Sequence, residues 1–215
     1  MKRLLFTILI ILVLPVLYQS TPTETLKLKV FDYLVPKQDP SGYFTILNIT
    51  EEDIDIEGGW PIPRQRLGEI HKQIIDAGAL GVGWVVSFPH PDRFGGDEFF
   101  AESLRHGTSI LASFEYPNQI YPKTVGTVIK GPNVGGMLSK GVVQNTHNLR
   151  TNYIQEGISA APTDVDNLVR RIPLLLKTPD GYVSSFGTEV LKALTGAKTY
   201  IIKTNDNGIQ EISVR

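Results

Sequence analysis

The sequence predicts a layered α/β fold with a β-α-β-α-β first half, an irregular second half and a C-terminal β-hairpin, preceded by one N-terminal membrane helix. Three observations support this prediction. Apolar runs alternate with helix-type spacing between residues 43 and 115. An apolar run follows Lys2 and Arg3 at the start of the chain. Near the other end, Asn207-Gly208 separates two strand-like runs, which is a strong hairpin signal.

The composition is that of an ordinary folded chain without a charge excess. The 215 residues include 21 Lys and Arg and 22 Asp and Glu, so the net charge of −1 does not indicate a nucleic-acid partner. Hydrophobic residues make up 41% of the chain, which excludes wholesale disorder. The absence of cysteine excludes a disulfide scaffold, a thiol nucleophile and thiolate metal sites.

The apolar run from Leu4 to Tyr18 is shorter than the roughly 20 residues that span a bilayer. A signal-peptide core has this length. Cleavage after Ser20 would place Tyr18 at the −3 position, where signal peptidase requires a small residue, and tyrosine is too large for it. We therefore expect residues 1–20 to form an uncleaved anchor, with a cleaved signal and a buried helix as the alternatives. Both the anchor and the signal would place the rest of the chain outside the cytoplasm, and the anchor would make it a single-pass membrane protein.

Residues 21–42 are expected to form a juxtamembrane segment, in which Leu26–Leu34 is ordered as either a helix or a strand. A domain then extends over residues 43–215. Its first half is predicted as a strand (Tyr43–Ile49), a helix after Pro63, a strand (residues 79–88), a helix (Glu98–His106) capped by Asp97, and a strand (Thr108–Glu115). The predicted first helix carries its apolar stripe on Leu67, Ile70, His71, Ile74 and Ile75, and Gly78 is suited to end it.

The second half gives weaker signals. Its predicted elements are a short strand (Val125–Ile129), one or two strands within residues 142–159, a strand (Leu168–Leu176) interrupted by Pro173, a helix (Ser184–Leu194) with Phe186, Val190, Leu191 and Leu194 on one side, and the terminal hairpin.

No motif predicts catalysis. The four histidines lack metal-ligand spacing, and neither HExxH nor GxSxG occurs. Residues 163–167 place Asp164 and Asp166 two residues apart, but the other positions of a calcium loop are missing and a turn explains them. The glycines of residues 131–136 lack phosphate-loop spacing. We expect no catalytic residue, no metal and no cofactor.

The segment GGWPIPRQR, residues 58–66, is the most informative. Ligands of open α/β sheets bind beyond the carboxyl ends of the strands. The loops at that edge carry polar and aromatic side chains that are candidates for the wall of a pocket: Thr50, Glu51, Asp53, Trp60, His90, Asp92 and Arg93. The alternative is structural, with Trp60 packed on the sheet and Arg64 paired with an acid.

Several motifs together resemble the second type of CHASE domain, a cyclase/histidine-kinase-associated sensory extracellular family. Trp60-Pro61 and Pro63-Arg64 match the WPwpR core of that family, and Gly131-Pro132 is similar to its GP turn. The segment from Asp164 to Pro173 resembles its DxDG-Arg-Arg stretch. The resemblance extends from about Leu26 to the end of the chain.

Three positions depart from the family pattern. Thr50 and Val85 stand where acids are usual, and Asn167 stands where glycine is usual. If those acids bind a ligand in relatives, this chain has a less anionic pocket.

The resemblance implies the extracytoplasmic sensory domain of a membrane receptor, coupled to a cyclase or kinase output that this chain does not carry. Because relatives usually continue beyond the terminal hairpin, the domain over residues 43–215 is expected to be truncated at its C-terminal end, as the front part of a receptor, a gene fragment or a shortened stand-alone form. The expected partners are a small ligand or a membrane-derived cue, the membrane through residues 4–18, and a second copy of the chain. The expected ligand-binding residues are Thr50, Asp53, Trp60, Arg64, His90, Asp92, Asp166 and Arg170. The alternatives are a stand-alone anchored binding protein and a hydrolase that uses His90 and Asp92 or the Asp164/Asp166 pair.

Overall fold

The computed structural model describes residues 21–36, 38–132, 135–150 and 154–215. Contacts divide the chain into two compact units, with Pro162–Arg171 belonging to the first and Ile49–Ala161 together with Ile172–Arg215 forming the second. In the described residues the helices are α1 (Thr21–Leu34), α2 (Glu51–Ile56), α3 (Arg64–Asp76), α4 (Asp97–Ser103) and α5 (Phe186–Thr195). The strands are β1 (Gly81–Trp84), β2 (Thr108–Glu115), β3 (Gly126–Lys130), β4 (Val142–Val143), β5 (Gln155–Ser159), β6 (Leu175–Thr178), β7 (Gly181–Ser184), β8 (Thr199–Asn205) and β9 (Gly208–Val214).

The first unit contains helix α1, so the segment Leu26–Leu34 is helical rather than extended. Lys27 pairs with Glu24 at 2.6 Å, three residues apart, which supports the helix from its surface. Leu28 is its buried residue. The predicted membrane helix within residues 1–20 lies outside the described residues, and none of the helices that are described has the length and apolarity needed to cross a bilayer.

The predicted strand Tyr43–Ile49 is wrong. The segment has no regular secondary structure, and its apolar side chains are exposed, Tyr43 at 89% and Ile46 at 84%. A strand needs a neighbour that accepts and donates its backbone hydrogen bonds, and none of the described strands pairs with this segment. The first half of the second unit therefore begins with the short helix α2 instead of a strand.

The largest sheet of the second unit is built around β2. Strand β1 pairs with it in parallel, with Gly81 opposite Thr108, and β5 pairs in parallel along the other side. Strand β4 pairs antiparallel with the last two residues of β2. The predicted order of strand, helix and strand over residues 79–115 is confirmed, with α4 between the parallel strands β1 and β2.

Helices cover both faces of this sheet. On one face, α3 and α4 pack through a cluster that includes Leu67, Trp84 and Phe100, with the rings of Trp84 and Phe100 edge to face at 5.5 Å. On the other face, α5 approaches the sheet at glycines. A Cβ on Gly83 would lie 2.8 Å from the ring of Phe186, and a Cβ on Gly157 would lie 2.6 Å from the Cα of Phe186. These glycines allow the helix its close approach.

Two smaller sheets complete the second unit. Strand β8 pairs in parallel with β3 and antiparallel with β9, which confirms the predicted strand near Val125–Ile129 and the hairpin at Asn207-Gly208. Strands β6 and β7 form a separate hairpin. Tyr200 and Ile202 of β8 are buried against Leu175 and Tyr182 of that hairpin.

Helix α3 matches its prediction closely. It begins directly after Pro63, buries Leu67 and His71, and ends before Gly78, whose φ of +98° lies in the region that glycine adopts without strain. Helix α4 is shorter than Glu98–His106, and Gly96, not Asp97, occupies the N-cap.

The predicted strands around β1 and β6 shorten to four residues each. In the predicted strand Leu168–Leu176, only the last two residues are extended. The preceding residues instead follow a turn in which the Asp164 N–H donates to the Leu168 carbonyl at 2.9 Å, and Ile172 before Pro173 is 64% exposed.

Helix α5 corrects the predicted apolar stripe. Leu191 is 55% exposed, whereas Thr188 and Glu189 are the buried residues. The Glu189 carboxylate points inward because it accepts hydrogen bonds from Ser184 and Tyr200, and the Thr188 hydroxyl lies 3.0 Å from the hydroxyl of Ser185.

Candidate functional site

The start of α3 holds a buried charge cluster, which we call the Arg64 cluster: Arg64, Asp92, Asp97 and the His90 carbonyl. The guanidinium of Arg64 donates hydrogen bonds to the Asp97 carboxylate and to the carbonyl oxygen of His90. Its carbon also lies 5.2 Å from the centroid of the Phe88 ring. Only 7% of the Arg64 side chain and 12% of the Asp97 side chain are exposed, so the ion pair is shielded from water.

Asp92 fastens the same loop to α3 through backbone hydrogen bonds. Its carboxylate accepts the N–H groups of Arg64 at 3.0 Å, Gly96 at 3.0 Å and Phe94 at 3.2 Å. Its own N–H donates to Asp97 at 2.8 Å. Burial acts to raise the pKa of Asp92, but these three donors favour the charged form more strongly, so the pKa is lowered. Asp92 is therefore an ionised structural acceptor.

Thr50 and Asp53 form a capping box at the start of α2. The Asp53 N–H donates to the Thr50 hydroxyl at 3.2 Å, and the Thr50 N–H donates back to the Asp53 carboxylate at 2.8 Å. Hydrogen bonds from the Thr50 hydroxyl and N–H lower the pKa of Asp53. Both residues lie at an exposed turn, and their mutual hydrogen bonds explain their presence.

Trp60 and His90 both have exposed side chains. Trp60 is 54% exposed and precedes Arg64 in the chain, and the His90 carbonyl is held by the Arg64 guanidinium. Nearby, the Arg93 guanidinium stacks on the Phe94 ring at 4.6 Å. The structure thus brings Arg64, Asp92 and the His90 carbonyl together, and Trp60 precedes Arg64 by four residues in the chain. Arg64 and Asp92 bind other parts of the chain there, and the side chains of Trp60 and His90 remain accessible.

Asp166 and Arg170 belong to a second charge cluster, within the first unit. The Arg170 cluster consists of Asp32, Asp164, Asp166, Arg170 and Arg171. The Arg170 guanidinium donates to Asp32 of α1 at 2.7 and 2.8 Å, to Asp166 at 2.7 and 2.8 Å, and to Asp164 at 3.2 Å. Only 6% of its side chain is exposed. The arginine therefore joins the loop Pro162–Arg171 to helix α1.

All the resolved pKa shifts in this cluster favour the charged forms. Hydrogen bonds from Arg170 lower the pKa of Asp32 and bring the pKa of Asp166 down to about 2. Hydrogen bonds to Asp32 and then to Asp166 raise the pKa of Arg170. Asn167, where the family usually has glycine, adopts φ +62° and donates its N–H to the Asp164 carbonyl at 2.9 Å. Asparagine tolerates this left-handed conformation, so the turn is kept.

His71 is a structural histidine. It is fully buried, its Nε2 lies 2.9 Å from the His106 carbonyl oxygen, and its Nδ1 lies 3.3 Å from the indole nitrogen of Trp84. Donation from Nε2–H and acceptance at Nδ1 satisfy both contacts in the neutral ring. Burial lowers the pKa of His71, which also favours the neutral form.

Two buried polar clusters carry no signal in the sequence. The Asn145 side chain accepts from Phe88 N–H at 2.7 Å and donates to Glu156 at 2.7 Å and to the Ala112 carbonyl at 3.1 Å. Burial raises the pKa of Glu156. The other cluster is formed by Ser184, Glu189, Lys192 and Tyr200. The members of these two clusters are far apart in the sequence or are of types that are common on protein surfaces. Sequence spacing therefore does not predict either cluster.

A shallow surface groove of about 440 Å³ also escapes sequence reasoning. It lies between α4 and the turn His147–Leu149 and has lining groups of both charges: Glu98, Ala101, Glu102, Arg105, His147, Asn148 and Arg150. Among the residues that the structure describes, no group of three or more acidic or histidine side chains is placed to hold a metal ion.

The chain is a mixed α/β protein in which Arg64 and Arg170 each fasten a loop to a helix. The family model of the CHASE2 domain matches residues 7–214, nearly the whole chain. The chain therefore belongs to the CHASE2 domain family, which confirms the resemblance carried by the WPIPR segment. CHASE2 domains are extracellular sensory domains without catalytic function. No curated protein and no solved structure gave a significant match.

Proposed function

We propose that this chain is the extracytoplasmic sensory part of a membrane-anchored signalling receptor, and that Arg170 couples its second unit to helix α1. The observation that carries the proposal is the Arg170 cluster. A buried guanidinium bonds Asp32 of α1 as well as Asp164 and Asp166 of its own loop. This loop leaves β5 and returns to β6, so both of its ends continue into the second unit.

Chain connectivity gives this contact its significance. Helix α1 begins three residues after Tyr18, the end of the apolar run proposed as the anchor. A change in the second unit that displaces either end of the loop Pro162–Arg171 would alter the Arg170–Asp32 contact. The helix next to the membrane would then experience the change. A stimulus shifts such an equilibrium only by its differential interaction with the two states.

The charges indicate which stimuli act on this contact. The pKa of Asp166 is about 2, so its contribution to stability is complete above its ordinary value of 3.8 and is lost as the pH falls through about 2. Arg170 stays protonated throughout this range. The pairing of these two groups thus persists across physiological pH, and we propose a bound ligand or a membrane-derived force as the stimulus.

We propose the exposed side chains near the Arg64 cluster as the ligand-facing surface. Trp60 offers an aromatic face and His90 offers a ring nitrogen. Arg64 and Asp92 hold the loop that carries His90 to the start of α3, and such backbone hydrogen bonds favour preorganised binding. The hydrolase alternative lacks support because the carboxylates of Asp92 and Asp166 already accept hydrogen bonds from backbone N–H groups or from Arg170.

Hydrogen exchange of the full chain in native-lipid nanodiscs tests the coupling. Arg170→Gln removes the charge and most of the bonds to Asp32, so amide exchange across Thr21–Leu34 should accelerate. Arg171→Gln is the matched control, because Arg171 lies in the same loop, is 69% exposed and pairs with Asp164 at 2.8 Å. Unchanged exchange in α1 of the Arg170→Gln chain, or equal acceleration in both variants, contradicts the proposed coupling.

A further inference from the structure

The ring of His71 joins helix α3 to two strands of the large sheet and to the segment between α4 and β2. The ring is fully buried. Its Nε2 lies 2.9 Å from the carbonyl oxygen of His106, in that segment, and 3.3 Å from the hydroxyl oxygen of Ser109 in β2. Its Nδ1 lies 3.3 Å from the indole nitrogen of Trp84 in β1, whose ring stacks on the imidazole at a centroid distance of 6.4 Å. We call these four residues the His71 junction.

The groups around the ring fit only the neutral imidazole with its hydrogen on Nε2. A carbonyl oxygen only accepts hydrogen bonds, so the His106 carbonyl requires the hydrogen on Nε2. The Ser109 hydroxyl donates to the Leu104 carbonyl at 2.6 Å, so its oxygen also faces Nε2 as an acceptor. The indole N–H of Trp84 only donates, so Nδ1 must keep its lone pair. A second proton, placed on Nδ1, would set two donors against each other.

The groups that contact the ring also do not compensate the charge of a protonated imidazole. Trp84 from β1 and Ser109 from β2 do not titrate in this range, and His106 is itself a base whose charge disfavours a proton on His71. Burial is the main cause that lowers the pKa of His71, and the hydrogen bond to the His106 carbonyl opposes it only in part. A protonated ring is therefore accommodated only where water reaches it.

We propose that protonation of His71 opens the His71 junction and loosens the middle of α3 from the sheet, so that acid is a second input to this unit. Arg64, Leu67 and His71 lie on the buried side of α3, so the proton acts on the same helix that carries the Arg64 cluster at its start. The Arg170 cluster keeps its charges through this range, and the two inputs thus act at different places. Signalling by this route rests on the proposed sensory function, whereas opening of the junction does not.

The direction of the pH dependence follows from the same contacts. In the closed junction the pKa of His71 lies below its ordinary value of 6.5, so the open form takes up the proton first. The stabilisation that the closed junction supplies is therefore complete above pH 6.5 and is lost as the pH falls below that value.

Acrylamide quenching of Trp84 fluorescence, in the full chain in detergent micelles, tests the opening. The chain has two tryptophans, so Trp60→Phe leaves Trp84 as the single reporter. Trp84 is 8% exposed and should be shielded at neutral pH, and its quenching constant should rise about twofold or more at about pH 5. In the same background, His71→Gln still offers an N–H and an oxygen but cannot gain the proton, so its quenching should stay low at both pH values.

The control variant is His106→Gln, which replaces an exposed ring and keeps the backbone carbonyl that accepts from His71. Its quenching should rise with acid as in the parent. Three outcomes overturn the proposal: no rise in the parent, an equal rise in the His71→Gln chain, or a rise that coincides with loss of the far-ultraviolet circular dichroism. The last outcome would mean that the whole chain unfolds instead of opening at the junction.

A direct titration of the ring covers the case in which His71→Gln does not fold. The chain has four histidines, and replacing the three exposed ones, His90, His106 and His147, by glutamine leaves His71 as the single ring in a chain labelled with ¹⁵N-histidine. Its nitrogen shifts should show the Nε2–H tautomer at neutral pH and a protonation step below pH 6.5 that coincides with the rise in quenching. A ring that stays neutral while quenching rises, or that titrates while quenching stays low, contradicts the proposal. The Arg170→Gln exchange experiment has its own readout, so either proposal can fail without the other.

Discussion

Replacement of Arg64 by methionine is the most informative perturbation of the second unit. Methionine fills much of the volume of the arginine stem but removes the guanidinium, so Asp97 stays buried without its cation. The same substitution removes the hydrogen bond to the His90 carbonyl and the contact over the Phe88 ring. The two loops that meet at the start of α3 lose their common anchor.

The size of the effect follows from the burial of the pair. The side chains of Arg64 and Asp97 are 7% and 12% exposed, so the remaining carboxylate gains little solvation from water. Removing one partner of a buried ion pair costs about 3–5 kcal/mol. In a domain of this size, each kcal/mol lowers the melting temperature by about 2–4 °C, so we expect a decrease of roughly 6–20 °C.

Urea unfolding of the full chain in detergent micelles, followed by tryptophan fluorescence, measures this change, because the buried Trp84 becomes exposed on unfolding whereas Trp60 is already 54% exposed. Arg66→Met is the matched control. Arg66 lies in the same helix and pairs with Glu57 and Glu69, but 40% of its side chain is exposed, so its loss should change stability little. The double variant Arg64→Met/Asp97→Leu removes both charges and should be markedly more stable than the sum of the single effects.

Two results would refute this reasoning. One is an Arg64→Met chain as stable as the Arg66→Met chain. The other is a double variant whose effect equals the sum of the single effects, because independent residues add. An arginine retained only to bind a ligand gives the opposite result, since its removal leaves stability unchanged or raises it.

Two further predictions concern the packing and the titration of the large sheet. Gly83→Ala and Gly157→Ala should each destabilise the chain by about 1–3 kcal/mol in urea unfolding. Phe186→Leu should restore stability only to the Gly83→Ala chain, because the new Cβ at residue 83 meets the Phe186 ring whereas the one at residue 157 meets the Phe186 backbone. Restored stability in both chains contradicts the packing described. Burial raises the pKa of Glu156 above its ordinary value of 4.5, so the folded state keeps this proton to a higher pH than the unfolded state, and stability should fall as the pH rises above 4.5. Glu156→Gln keeps the acceptor for the Asn145 side chain and should make stability less dependent on pH in this range. An unchanged dependence of stability on pH contradicts the proposed burial of the Glu156 carboxyl.

Local signals in the sequence predicted those elements whose determinants are also local. Helix α3 combines Pro63 at its start, apolar residues at helical spacing and Gly78 after its end, and it was predicted almost to the residue. The hairpin at Asn207-Gly208 depends on its own turn. Tyr43–Ile49 fails because the pairing of a strand depends on a distant partner that its own apolar residues do not specify.

The candidate sites show the same division between local and distant determinants. The WPIPR segment indicates Arg64, and pairing of Arg64 with an acid is one of its two interpretations. The sequence predicts its partner Asp97 as a helix cap, because a capping acid and a buried ion-pair acid have the same sequence signal. Arg170 binds Asp32 across 138 residues of sequence, a contact that no spacing rule predicts.

Accessibility labelling in intact cells tests the central claim most directly. The chain has no cysteine, and Asn207 lies in the exposed turn of the terminal hairpin, so Asn207→Cys introduces one reporter outside both charge clusters. A membrane-anchored extracytoplasmic sensor should sediment with the membranes and react with a membrane-impermeant maleimide before lysis, with the cysteine-free chain as the blank. Labelling that appears only after the inner membrane is permeabilised would contradict the account.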